Sequence, residues 1–198
     1  MRVSSFFNFI LPAIVFLPFG VSAQKPATQQ ALLSNESKLI INGKSNVNDF
    51  SCVSQHNLQE DSLKFNYLYT GESISLEGLT LTLETDLFDC GKRGINRDFR
   101  NTLKHSEYPN IEITLSELIS SDQLDSLTAK VVITIAGIKN HYSVELQSVS
   151  QEKNKILAKG KKKLSMEDFK LDPPSPLFGL IKVKKKLVID FNLIIHLF

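Results

Sequence analysis

Net charge, cysteine and long apolar runs are all scarce in this 198-residue sequence, and each shortage excludes something. Lys and Arg number 23 against 21 Asp and Glu, a net of +2, too small to mark a nucleic-acid binder. Two cysteines and the scattered His56, His105, His141 and His196 show no metal-ligand spacing. The apolar stretch Phe6 to Phe19 is broken by Asn8, Pro12 and Pro18, and falls short of the roughly 20 residues a membrane-spanning helix needs. Gly-x-Ser-x-Gly, His-Glu-x-x-His, a Gly-rich phosphate loop and internal repeats are all missing, so an enzyme is not expected and no cofactor is required. What remains is ordinary globular composition, 42% hydrophobic and 22% charged.

The N-terminus reads as a secretory signal: Arg2 is the positive n-region, Phe6 to Phe19 is mostly apolar, and Val21-Ser22-Ala23 is a small-x-small cleavage site. Cleavage after Ala23 removes 23 of 198 residues and leaves 175, a length suited to one domain. No cysteine follows the site to be lipidated, so an exported, periplasmic or secreted protein is expected. In such a compartment Cys52 and Cys90 are expected to pair, closing a loop worth about 4 kcal/mol on the chain-entropy relation; two buried free thiols are the alternative. Residues 24–36, with Pro26 and a Gln pair, read as a flexible leader, and 37–198 as the folded domain.

Beyond the leader the pattern has a period of two. It runs through Leu63, Phe65, Tyr67 and Tyr69; Leu81, Leu83 and Leu87; Ile111, Ile113 and Leu115; and Val131, Ile133 and Ile135. It continues through Val144 and Leu146; Ile156, Ala158 and Gly160; and Leu187, Ile189, Phe191, Leu193 and Ile195. Strands dry on one face and joined by short turns, such as those at Gly137 and Asn154, belong to antiparallel sheets. About eight of them in one domain must stack as a sandwich or close on themselves; closure, which removes exposed edges, is favoured, and the fold class is an all-β antiparallel barrel. One helix is expected over Arg97 to His105, capped by Asn96, with Phe99 and Leu103 sharing a face, placed as a lid or plug near the mouth. Pro173, Pro174 and Pro176 force a loop within Ser165 to Gly179.

A barrel of this size either fills with side chains or holds one small ligand, and the inward parity is so apolar that any ligand held there should be oily. Two outward lysine rows, Lys159, Lys161 and Lys163, then Lys182, Lys184 and Lys186, would repel one another as cross-strand neighbours. They suit either a solvated face that guards against edge pairing or an anionic partner such as a membrane surface. Nucleic acid is disfavoured for want of an aromatic platform. An exported interaction module with a filled barrel and this Lys-rich surface is the alternative to a ligand carrier.

The segment Arg97-Asp98-Phe99-Arg100-Asn101-Thr102-Leu103-Lys104-His105-Ser106-Glu107-Tyr108-Pro109-Asn110-Ile111 resembles the signature of YceI-like proteins, an Arg-Asp-rich short helix before a Tyr-Pro-x-Ile strand start. Ile135-Ala136-Gly137-Ile138-Lys139 is similar to that family's central hairpin, with Ala136 and Asn140-His141 as departures. Leu164-Ser165-Met166-Glu167-Asp168-Phe169, Pro173-Pro174, Leu177-Phe178-Gly179 and the Val188-Ile189-Asp190-Phe191 strand resemble its closing segment. The resemblance implies a lipocalin-like barrel, a periplasmic location, no enzyme chemistry, and a tunnel for a polyisoprenoid chain such as an isoprenoid quinone or polyprenyl lipid. On strand parity the expected lining is Leu63, Phe65, Leu81, Leu83, Ile111, Ile113, Val131, Ile133, Val144, Leu146, Ile189, Phe191 and Leu193, some of which must instead make core under the lid; Arg97, Arg100 and Lys104 at the mouth suit a solvated helix surface better than contact with a headgroup.

Overall fold

A computed structural model describes residues 25–55, 62–121, 126–176 and 178–198; the expected signal segment 1–23 lies outside them. The chain forms β1 (Ala27–Leu33), β2 (Lys38–Lys44), β3 (Asp49–Ser54), β4 (Ser62–Thr70), β5 (Ser73–Glu77), β6 (Thr80–Glu84), β7 (Phe88–Asp89) and one helix, α1 (Arg93–Thr102). The strands β8 (Asn110–Ser121), β9 (Ser126–Ile135), β10 (Ile138–Glu152), β11 (Lys155–Ser165) and β12 (Lys186–Leu197) follow.

All pairings are antiparallel, and the ring β1-β4-β5-β8-β9-β10-β11-β12 closes when Ala31 to Leu33 of β1 pair with Leu197 to Ile195 of β12. A second circuit shares β8 to β12. The first half of β12 pairs with β2, β2 with β3, and β3 with β7 through Val53 opposite Asp89 and Ser54 opposite Phe88. A 3-10 turn, Thr85–Leu87, joins β7 to β6, which pairs with the first half of β8. The two circuits are the two ends of one barrel whose early strands are broken midway. β1 and β2 lie along the same edge of β12, as do β5 and β6 along β8. Among the described residues the eight-stranded ring is closed by ladders throughout, whereas at the other end β6 pairs only with β8 and β7 only with β3, and the chain turn between them completes the circuit.

Residues 24–36, read as a leader, contain β1 instead. Their glutamines mask a strand whose Ala31 and Leu33 alternate into the interior, where both are buried. Leu87 does not extend the preceding strand: it falls in the 3-10 turn, where Thr85 takes the buried position. The helix begins at Arg93 rather than Arg97. Asn96 is not its N-cap, because its side chain accepts from the Cys90 N–H at 2.7 Å and donates to Asp89 Oδ1 at 3.1 Å. The β9–β10 hairpin turns on Ala136 (φ 49°) and Gly137 (φ 75°), the two positive φ values of a type I′ turn. Tyr108 covers that turn so closely that a Cβ on Gly137 would lie 2.8 Å from its ring.

The lysine rows do not oppose one another. Lys159, Lys161 and Lys163 face Asn192, Asp190 and Val188 across the β11–β12 ladder, and Lys161 Nζ lies 2.9 Å from Asp190 Oδ2. Lys182 and Lys184 lie outside the long strands, on a segment that follows the proline loop. Gly160 faces Phe191 so closely that a Cβ there would meet the ring at 2.5 Å, which is why the inward parity of β11 carries no side chain at that level.

Candidate functional site: an apolar pocket at the helix end of the barrel

Antiparallel alternation places the β2–β3 turn, α1, the β9–β10 turn and the 166–185 loop at the same end of the barrel. There they surround a cavity of about 760 Å³, within the range of small-molecule sites. Its walls are apolar: Ile41 and Phe50 from β2–β3, Ile95, Phe99 and Leu103 from the helical segment, Ile111 and Ile135 from β8 and β9. Leu164, Met166, Phe169, Leu171, Ile181, Val183, Leu187 and Ile189 come from β11, the loop and β12. Polar groups gather around it in Ser45, Asn48, Asp49, Ser51, Lys92, Asp98, Thr102 and Ser165.

Covalent and polar ties hold this frame. Cys52 of β3 and Cys90, just ahead of α1, form a disulfide, and Cys90 itself borders the cavity. Beside it the Asn96 amide and the Gly91 N–H both donate to Asp89, holding that carboxyl below its usual range. Ile95 and Phe99, four apart and so on one helix face, turn toward the cavity; the Phe99 ring lies 5.2 Å from Phe88. Past the helix, buried Thr85 donates its hydroxyl hydrogen to the Pro109 carbonyl at 2.9 Å. The 2.7 Å contact with His105 Nδ1 must then be donated by the imidazole.

The opposite wall is set by the 3-10 turn Met166–Phe169. The Ser165 side chain caps it by accepting from the Glu167 N–H, and Asp168 accepts from the Ser165 N–H at 3.2 Å. Two inward residues of β10 clasp it from the barrel: Tyr142 donates to Asp168 Oδ2 at 2.9 Å and Asn140 to the Asp168 carbonyl at 2.6 Å. Burial, followed by the hydrogen bond to and charge of Asp168, raises the Tyr142 hydroxyl far above the ordinary tyrosine value. Lys162 lies over the Tyr142 ring, 5.3 Å from its centroid, and donates to the Ser143 carbonyl. The turn thereby drives Phe169, 2% exposed, and Met166 into the pocket.

Of the lining expected from strand parity, Ile111 and Ile189 border this cavity. Phe65, Leu83, Val131, Ile133 and Val144 are buried elsewhere in the barrel, and Leu63, Leu81, Ile113, Leu146, Phe191 and Leu193 are half-buried against that core. Arg97 and Lys104 are exposed, Arg100 is half-buried, and none of the three borders the cavity; Arg97 lies 3.7 Å from Asp98, which does. Parity along strands missed the wall built by Ile95, Phe99, Met166, Phe169 and Leu171, none of them on a strand. Phe99 and Leu103 on one helix face were its available signal. Among the described residues no group of His, Cys, Asp and Glu could hold a metal ion, and no helix is long and apolar enough to cross a membrane.

No protein-family model and no curated protein matches the chain. Solved structures do. BcnA of Burkholderia cenocepacia is similar over 82% of this chain and 98% of its own, with TM-score 0.59 at 15% identity. A polyisoprenoid binding domain from Saccharophagus degradans, implicated in plant cell wall breakdown, is similar over 84% and 97%, with TM-score 0.53 at 10% identity. The Campylobacter jejuni YCEI protein is matched over 94% and 97%, with TM-score 0.46 at 16% identity. At these identities the likeness is one of fold: this chain shares its antiparallel barrel fold with BcnA and with that binding domain.

Proposed function

We propose that the protein binds an apolar lipid of isoprenoid type, an isoprenoid quinone or a polyprenyl chain, and sequesters or carries it with the chain end buried in the pocket beside α1. The observation that carries this reading is the pocket itself, some 760 Å³ walled by aliphatic and aromatic side chains with polar groups gathered around it. The fold shared with a polyisoprenoid binding domain supports it. The mechanism is burial: at about 0.8 kcal/mol per methylene, each five-carbon unit contributes about 4 kcal/mol, so a few units offset the cost of association. Ile111 and Ile189 are lining residues in this reading, and Lys92, Asp98 and Ser45 are placed to meet a polar headgroup. Export through residues 1–23 is the companion expectation, and it fits the Cys52–Cys90 disulfide. The test is to purify the protein from its native host, extract it with organic solvent and analyse the extract by mass spectrometry. A stoichiometric isoprenoid supports the proposal; an extract without one, from a protein that also ignores added quinone, overturns it.

A further inference from the structure

Two exposed segments meet beside the pocket. Asn46 in the β2–β3 turn exchanges hydrogen bonds with the segment after the proline loop: its N–H donates to the Lys182 carbonyl, its side chain accepts from the Lys182 N–H at 2.7 Å, and its amide donates to the Leu180 carbonyl at 3.0 Å. Ser45 bridges Val183, and the Lys184 N–H donates to the Lys44 carbonyl. This ladder gathers Val47, Phe178 and Leu180, three of the few large apolar residues that stand exposed among the described ones, at 59%, 107% and 74%. Folding does not require them there; Phe178 is fully in water.

Charge surrounds the same tip. The segments 44–50 and 178–186 hold five lysines, Lys44, Lys182, Lys184, Lys185 and Lys186, against Asp49 alone, a net of +4. Lys44 lies 3.4 Å from Asp49 and Lys185 pairs with Glu167, which leaves Lys182, Lys184 and Lys186 with no ion pair recorded among the described residues. Apolar side chains projecting from a ring of lysines suit the interface of an anionic bilayer, where the side chains enter the acyl boundary and the ammonium groups meet lipid phosphates.

We infer that this end of the barrel docks on an anionic lipid membrane through Phe178 and Leu180, with Val47 beside them, steered by Lys182, Lys184 and Lys186. The purpose of the docking rests on the proposed lipid binding: Val47, Ile181 and Val183 border the pocket, so a docked molecule opens it toward the bilayer without exposing the lipid to water. The docking itself is measurable without any ligand.

The experiment is co-flotation of the mature protein with vesicles of phosphatidylcholine, with and without about one third phosphatidylglycerol. A parallel assay follows uptake of a long-chain quinone delivered in detergent. Wild type is expected on the anionic vesicles only, and to be released by salt. Phe178→Ser/Leu180→Ser is expected to weaken vesicle binding more than tenfold, and each removed lysine of the Lys182→Gln/Lys184→Gln pair by about fivefold. Neither variant should alter quinone uptake from detergent. Failure of wild type to float, or equal flotation of wild type and the apolar variant, overturns the inference and leaves lipid binding standing. Salt-sensitive flotation by a protein that takes up no quinone keeps the docking surface and removes the proposed ligand.

Discussion

Removing the Cys52–Cys90 bridge should loosen the barrel at its thinnest seam. β3 and β7 meet through two residue pairs, Val53 with Asp89 and Ser54 with Phe88, and each cysteine of the bridge is the immediate neighbour of one of these residues. The bridge spans 38 positions and encloses β4, β5, β6 and β7. On the chain-entropy relation a loop of that size stabilises the fold by about 4 kcal/mol. For a domain of this length each kcal/mol moves the melting midpoint by about 2–4 °C, so Cys52→Ala/Cys90→Ala should melt about 8–16 °C below the oxidised wild type. The assay is thermal unfolding followed by circular dichroism, with amide exchange across α1 as a local readout. Exchange in α1 should accelerate more than exchange in β9 or β10, because α1 hangs from Cys90 while those strands sit within the continuous β8–β12 wall. A midpoint within about 2 °C of wild type, or exchange unchanged in α1, would refute the reasoning.

Phe169→Ala should cost about 3–5 kcal/mol, since the ring is buried and packs against Tyr142 across the pocket wall; a urea midpoint measures it. Tyr142→Phe removes the bond to Asp168 at a partly exposed site and should cost about 1 kcal/mol at neutral pH. Because the folded state raises the Tyr142 hydroxyl above its ordinary value of 10.0, that contribution is complete below about pH 10 and fades as pH climbs beyond it. The stability gap between wild type and Tyr142→Phe should therefore narrow in alkaline unfolding experiments, and a gap that widens would contradict the assignment. Gly137→Ala should destabilise by about 1–3 kcal/mol in denaturant titrations, combining positive-φ strain with the clash against Tyr108.

Strands were legible where one face is dry and the other wet. β9 carries that alternation over its length and β8 as far as Leu115, where a bulge shifts its register; in β12 the sequence alternates, although Ile194 on the polar parity is buried, and antiparallel closure follows from these strands. β1 was not legible, because Gln29 and Gln30 obscure the few apolar positions that close the ring. The helix start was misplaced because Asn96, a good cap by residue type, spends its side chain on Cys90 and Asp89. The pocket was the least legible part. Period-two parity tells inside from outside but not depth along the barrel axis, so Val131 and Ile133 in the packed core read the same as Ile111 and Ile189 at the cavity. Much of the wall comes from α1 and the 166–185 loop, whose positions depend on the disulfide, the Tyr142–Asp168 clasp and the Asn46 ladder. None of these contacts leaves a periodic trace in the sequence.

Equilibrium uptake of a long-chain isoprenoid quinone by delipidated protein, compared with Ile95→Trp/Val183→Trp, tests the central claim most directly. Both positions are half-buried lining residues at the edge of the core, so indole bulk is directed into the cavity. The account predicts saturable one-to-one uptake by wild type, little changed by salt, and at least tenfold weaker uptake by the variant at an unchanged melting temperature. Equal uptake by the two proteins, or none by wild type, would contradict it.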